Sequence, residues 1–538
     1  MDLKMLSHFD NISNSKPIYT QVLPNNQQDM PISQTLSDNL NTLHSIFLNC
    51  NDVIYREFIL DSFKCPALLV FISDLSNITL INEEIMPSLM NIKETPSDNQ
   101  AASNVTVIEA AKNYFIKFAD INEISTIGEA IDGILNGNTV FLVEGNIKAL
   151  KLKTTGFKDR NITEPTIEKL VRGPKEGFTE NIYTSISLIR RKIKSSELKF
   201  EEYILGRSTQ TKIDICYLHG IADEGIINEV KKRIERIDVD SILESGYVEE
   251  LIEDTPFSLF PQIQHTERPD KAAAAILEGR IAILIDGTPF VLIVPATLIQ
   301  FFQSSDDYYE RYPAAAAIRL IRYIFIMIAL LLPALYVAVI SYHKEMIPTH
   351  LLISIVGAAH GVPFPIFLEA LIMEITFEAL REAGIRLPGP ANQTVGIVGV
   401  LVIGDASVKA GIISPTMVVI IAVTAISSFG IPSYDMGYAV RILRFMMLVL
   451  GSFLGLYGIL LGILVLLIHL CSLRSFNIDF LSPIAPLNLK DFKDTLVRFP
   501  WWAMGERPSF TSPHNRRRQK HNLKPNPPSK FDNDRKGN

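Results

Sequence analysis

The chain has 538 residues, 47% of them hydrophobic and 20% charged, with a formal net charge of -7 and a mean hydropathy of +0.20. That length holds about three domains, and a low charged fraction with long uncharged runs after Ala314 excludes both a fully soluble and a wholly disordered chain. The mild acidity excludes a general nucleic-acid binder, whose footprint is a strongly basic domain, so no nucleic-acid partner is expected.

Residues 1–36 are rich in Asn, Gln, Ser and Pro, a composition that predicts a mobile arm. The opening MDLKMLSHFDNISNSK has no apolar core and no small-residue cleavage site, so no signal peptide is expected. Cys50, Cys65, Cys216 and Cys471 form no CxxC pair, which fits a reduced, cytoplasm-facing chain.

From 37 to 150 and from 181 to 312 the pattern is alternating α/β, and the second stretch matches the first in order at a nearly constant offset. Glu57-Phe58-Ile59-Leu60 lies over Glu202-Tyr203-Ile204-Leu205, Leu80-Ile81-Asn82-Glu83 over Ile226-Ile227-Asn228-Glu229, and 134–150 over 276–292. The expectation is two tandem lobes of helices, a short strand and a terminal hairpin, turning at Glu144-Gly145 and Asp286-Gly287. The polar linker, 151–180, is broken by Gly156, Pro165, Gly173 and Pro174. A docking scaffold is the plainer reading of the lobes, ahead of a catalytic one.

An α-helical membrane domain is expected over 313–473, with about five hydrophobic segments: 323–340, 351–368, 393–410, 412–434 and 445–473. A bilayer takes about 20 apolar residues per helix. The first, fourth and fifth segments qualify outright. The second qualifies only as a helix broken at Pro363 and Pro365, and the third as a broken, tilted or re-entrant piece. The last offers Gly451, Gly455 and Gly458 as places to bend. Arg319 and Arg322, just before the first segment, place the lobes on the cytoplasmic side. Five crossings would put the C-terminus on the opposite side, although the tail carries the basic cluster Arg516-Arg517-Arg518, so its side is left open. A membrane-proximal segment, 474–510, and a basic, disordered tail, 511–538, complete the chain.

Glu369, Glu374 and Asp405 stand among apolar neighbours. A carboxylate in hydrocarbon is costly, so such acids face a bundle interior or water, and acidic rings can select cations in a pore. Glu378 with Arg381 reads as an ordinary solvated pair. Gly451-x3-Gly455 and Gly458-x3-Gly462 permit close helix contact, within or between chains. Asp306, Asp307, Tyr308 and Tyr309 precede the first hydrophobic segment, where coupling between the lobes and the membrane would pass; a simple polar anchor is the plainer alternative. No GxxxxGK[ST], GxGxxG, GxSxG or HExxH motif is present, so no enzyme activity, cofactor or metal is expected.

Longer segments carry a resemblance: Val171-Arg172-Gly173-Pro174 running to Gly177-Phe178, Gly279-Arg280, Asp286-Gly287-Thr288-Pro289, Asp306-Asp307-Tyr308-Tyr309, Arg381 through Pro388, and Pro483-Ile484-Ala485-Pro486. On these the chain resembles the A subunit of GerA-type spore germination receptors across nearly all of 38–510. The resemblance implies a multi-pass protein of the inner spore membrane, responding to amino acids or sugars with a transporter-like B subunit and a lipoprotein C subunit. It also implies an oligomer around a pore, the ion-channel-like component of the receptor. The rival class is a permease with a regulatory domain, whose substrate site would lie in broken helices at the midplane.

Overall fold

The computed structural model describes residues 29–61, 63–90, 107–114, 121–156, 163–386, 404–513, 515–520 and 523–526. Most of the expected N-terminal arm (1–28), part of the third hydrophobic segment (393–403) and the end of the tail (527–538) lie outside the described residues.

The first unit is built on a five-stranded antiparallel sheet of β1 (Val53–Leu60), β2 (Cys65–Ile72), β3 (Ile121–Ile124), β4 (Thr139–Val143) and β5 (Ala149–Leu152), in the order β1-β2-β4-β5-β3. Helices α1 (Leu36–Ile46) and α2 (Ile127–Leu135) cover one face. Helical turns at 78–90 and the helix Val107–Tyr114 cover the other. With both faces covered, β4 is buried at every position, which is why it reads as the unbroken apolar run TVFLV rather than an alternation.

The second unit contains α3 (Ile182–Lys192), β6 (Leu198–Leu205), β7 (Thr211–Leu218), α4 (Glu224–Glu235), α5 (Ser245–Ile252), β8 (Gln264–Thr266), α6 (Pro269–Leu277), β9 (Ile281–Ile285) and β10 (Val291–Val294). Its strand order is β6-β7-β9-β10-β8, position for position that of the first sheet. One strand and a hairpin per lobe was an undercount. The edge strands β1 and β6 carry Tyr, Arg, Glu and Lys between apolar residues, and β3 and β8 are only four and three residues long.

The expected hairpins are present between β4 and β5 and between β9 and β10. Gly145 (φ 80°) and Gly287 (φ 90°) adopt the left-handed backbone that these turns need. The acid before each glycine does a second job. The Glu144 carboxylate accepts the Leu36 N–H at 2.6 Å and the Asp286 carboxylate the Ile182 N–H at 3.1 Å, so each turn caps the first helix of its own unit. Between the units, Arg190 grips Asp52 with two hydrogen bonds of 2.7 and 2.8 Å, both side chains buried.

After the short helix α7 (Asp306–Tyr309) come α8 (Tyr312–Tyr342), α9 (Thr349–Ala359), α10 (Ile366–Arg386), the turn Gly404–Lys409, α11 (Pro415–Ser428) and α12 (Tyr434–Ser472). Among the described residues, α8 and α12 are long and apolar enough to cross a membrane. The break at Pro363 and Pro365 falls between α9 and α10. Helix α12 is interrupted at Gly455 (φ 64°, ψ -145°), a conformation open essentially to glycine alone. The two arms fold back: Gly458 lies against Leu450, and Gly462 against Met447 and Leu450. The end of α8 braces this turn, with the Tyr342 hydroxyl donating to the Ser452 and Phe453 carbonyls and the Leu456 N–H donating to His343 Nε2. The arms, 434–454 and 456–472, are about 31 and 26 Å long at 1.5 Å per residue. Beyond them the chain returns to the second unit, where the Ser475 hydroxyl donates to the Gln262 carbonyl and the Phe476 N–H to Asp254.

Candidate functional site

The segment Asp306–Tyr309 is where four parts of the chain meet. Asp307 is 2% exposed and accepts from Arg319 at 3.0 Å and from Arg322 at 3.0 and 3.1 Å, both on the first turns of α8. Arg319, fully buried, also pairs with Asp494 of the C-terminal segment at 2.8 Å. The Tyr308 hydroxyl donates to the other Asp494 oxygen at 2.7 Å, and the Tyr323 hydroxyl of α8 donates to the Thr495 carbonyl. Tyr309 turns the other way. Its hydroxyl donates to Asp270, which pairs with Arg268, and its ring packs against Gly173 of the linker. Linker, second unit, first long helix and C-terminal segment are therefore joined by three carboxylates, Asp270, Asp307 and Asp494, and three tyrosines, Tyr308, Tyr309 and Tyr323.

A second charged group sits among α10, α11 and α12. Glu374 and Arg444 pair at 2.8 Å, each side chain 1% exposed. Glu378 pairs with Arg444 at 3.1 Å, with Arg381 at 3.4 Å and with Arg441 at 3.8 Å. Glu369, also buried, accepts from the backbone N–H of Ser414 at 2.7 Å and from its hydroxyl, at the residue that caps α11. Asp405 is not brought to either acid; it is exposed and pairs with Lys409 one turn on, at 2.5 Å. At 2.8 Å the Glu374 carboxylate faces the Arg444 guanidinium with no room for water between them.

A model of the Bacillus/Clostridium GerA spore germination protein family matches residues 41–510. The chain belongs to this family. Among its relatives in Bacillus subtilis are spore germination protein KA, 42% identical over 92% of this chain and 90% of the relative, and spore germination protein A1, 44% identical over 71% and 79%. The uncharacterized membrane protein YfkQ of the same organism is 42% identical over 91% of this chain and 93% of its own length. The crystal structure of the N-terminal domain of the A subunit of the Bacillus megaterium spore germinant receptor GerK3 aligns at 34% identity and a TM-score of 0.39, covering 50% of this chain and 98% of that one.

Both charged groups of this GerA-family chain fall inside the matched span. Asp494 and Arg444 were not singled out in the sequence as partners of Arg319 and Glu374. Asp494 lies 175 residues from Arg319, a distance no local spacing rule reaches. Arg444 carried a weak signal: a guanidinium one residue before an uncharged stretch on a membrane-length helix, next to acids on another hydrophobic segment.

Proposed function

We propose that this chain is the A-type subunit of a nutrient germinant receptor, assembled with transporter-like and lipoprotein subunits in the inner spore membrane, and that it passes a germination signal rather than catalysing a reaction. The family match across 41–510 carries this reading. The two α/β units would face the spore core and dock partners. Their equal strand orders support reading them as a tandem duplication. Helix α12 starts beside the second unit, where Asp435 meets His265, so with both its arms crossing the C-terminal segment comes back to the side of the units, which suits its contacts with Gln262 and Asp254.

In this reading the chain oligomerises around a cation path that Glu369, Glu374 and Asp405 line or border. Spores carrying this receptor as their only one should respond to at least one single nutrient and lose that response when the chain is deleted; an unchanged response rejects the receptor role. Ion release from liposomes holding the assembled receptor tests the path. Because Glu374 is paired, the informative variant is the double change Glu374→Gln with Arg444→Met, which removes the carboxylate and its partner together and leaves Glu378 with Arg381 and Arg441. Slower release at normal assembly supports a path at Glu374. Unchanged release there and in Glu369→Gln and Asp405→Asn reduces all three to packing roles.

A further inference from the structure

Gly279 and Arg280 open β9 beneath a strap formed by the C-terminal residues 504–518. The Thr511 and Ser512 hydroxyls both donate to the Glu278 carbonyl, at 2.5 and 3.0 Å, and Arg507 donates to the Leu277 carbonyl at 2.8 Å. Gly279 has φ +85°, and a Cβ there would stand 2.7 Å from the Thr511 carbonyl oxygen, so only glycine lets the strap lie down. Residues 511–513 and 515–520, expected in the tail, thus pack on the second unit. Beneath the strap is a cavity of about 80 Å³, room for several water-sized groups. Arg280 lines it, 3% exposed, with Phe510 over its guanidinium at 5.6 Å. Lys490 and Lys493, both exposed, also line it, as do the acids Glu278, Asp491, Asp494 and the exposed Glu506, whose side chain has no hydrogen-bond or ion-pair partner among the described residues.

The lining carries four charges of each sign, Arg280, Lys490, Lys493 and Arg518 against Glu278, Asp491, Asp494 and Glu506, but the buried cation among them stands unpaired. The guanidiniums of Arg280, Arg319, Arg322 and Arg498 gather near Tyr308 and Asp307, while the carboxylates engaged with them are Asp307 and Asp494. Among the described residues no carboxylate is within ion-pair reach of Arg280 or Arg498, and the buried Nε of each lacks a hydrogen-bond partner. Arg280 donates only to the Pro295 carbonyl. Burial pushes its guanidinium down to about 10 against weaker opposing pulls from Glu278 and Tyr308. A buried cation without a counter-charge is unfavourable enough that a site of this kind recruits an anion or water.

We propose that this cavity binds a small oxyanion, a carboxylate or phosphate group, with Arg280 on its floor and Lys490 and Lys493 at its rim. Bound there, the anion supplies the counter-charge that the buried Arg280 guanidinium lacks and ties the strap to the junction. The proposal does not rest on the germination reading, and its test uses no germination readout. The full chain in detergent is titrated with sodium phosphate, and separately with sodium acetate, at constant ionic strength while thermal unfolding is followed. At least one of them should give a saturable rise in Tm that sodium chloride does not reproduce. The rise should vanish in Arg280→Gln, and its apparent affinity should fall about tenfold or more in Lys490→Gln with Lys493→Gln. Those lysines are exposed, so this second variant decides the matter if Arg280→Gln does not fold. No saturable rise in the unmodified chain, or an unchanged affinity in the lysine variant, overturns the proposal. Nanodiscs separate the two sources of such a group. A phosphate effect in both phosphatidylcholine and phosphatidylglycerol discs assigns the site to a free anion. An effect lost only in phosphatidylglycerol discs assigns it to a lipid headgroup.

Discussion

Asp307 neutralises two guanidiniums in a space almost closed to water, so its removal strands both. Asp307→Asn is expected to destabilise the chain by about 3–5 kcal/mol, the range for breaking a buried pair from one side. Asp494→Asn should do less, because its side chain is 28% exposed and Arg319 keeps Asp307. Thermal unfolding of the two variants in detergent checks the order, and equal losses would show that burial at Asp307 does not decide it. The Glu374–Arg444 pair follows the same logic. Glu374→Gln alone should cost about 1–3 kcal/mol, less than Asp307→Asn because Arg444 keeps Glu378 at 3.1 Å, while adding Arg444→Met should recover part of that, since the pair is then replaced by apolar packing and Glu378 keeps Arg381 and Arg441. A double variant as unstable as the single one would mean that the charge, and not its pairing, is what the fold requires.

At the scale of elements, one link between the second unit and α12 is set by pH. His265 of β8 meets Asp435, in the first turn of α12, at 3.1 Å. Burial alone would lower the histidine, but hydrogen bonding and attraction to Asp435, reinforced by Glu249 and Glu168, leave it raised above 6.5. A raised histidine stabilises fully below its unfolded value of about 6.5 and loses that contribution as pH climbs through the folded value. The wild-type chain should therefore lose stability against a His265→Gln control as pH rises above about 6.5; parallel curves would dismiss the link. How legible these elements were varies with their surroundings. The α/β character, the two glycine turns and the proline break were plain in the sequence, because each depends on local chemistry. β1 and β6 escaped notice because edge strands mix polar with apolar residues. The charged sites were half legible. Their acids stand out against apolar neighbours, whereas their arginine and aspartate partners are fixed only by how distant helices pack.

For the whole molecule, the turn at Gly455 decides where the C-terminus goes. If both arms of α12 cross, as proposed, Cys471, which is exposed, should label with a membrane-impermeant thiol reagent from the side that carries the α/β units. Labelling from the other side would mean that one arm does not cross. Any side chain at position 455 is strained at φ 64°, by about 1–3 kcal/mol. Gly455→Leu is therefore expected to lower Tm and to shift Cys471 toward labelling from both sides. A single side of labelling with unaltered Tm would show that the turn tolerates a side chain.

The meeting of Arg319 with Asp494 also bears on how the protein is made. The arginine leaves the ribosome 175 residues before its partner. At 5–20 residues per second, the first long helix waits roughly 10–35 s with one of its two carboxylates still unsynthesised. During that interval Asp307 alone holds both guanidiniums, and the junction is unfinished. The nascent chain therefore completes the joint between its units and its helices only once Asp494 has been added. A chain cut short before residue 494 keeps the strands of both five-stranded sheets and lacks the carboxylate that Arg319 and Tyr308 share.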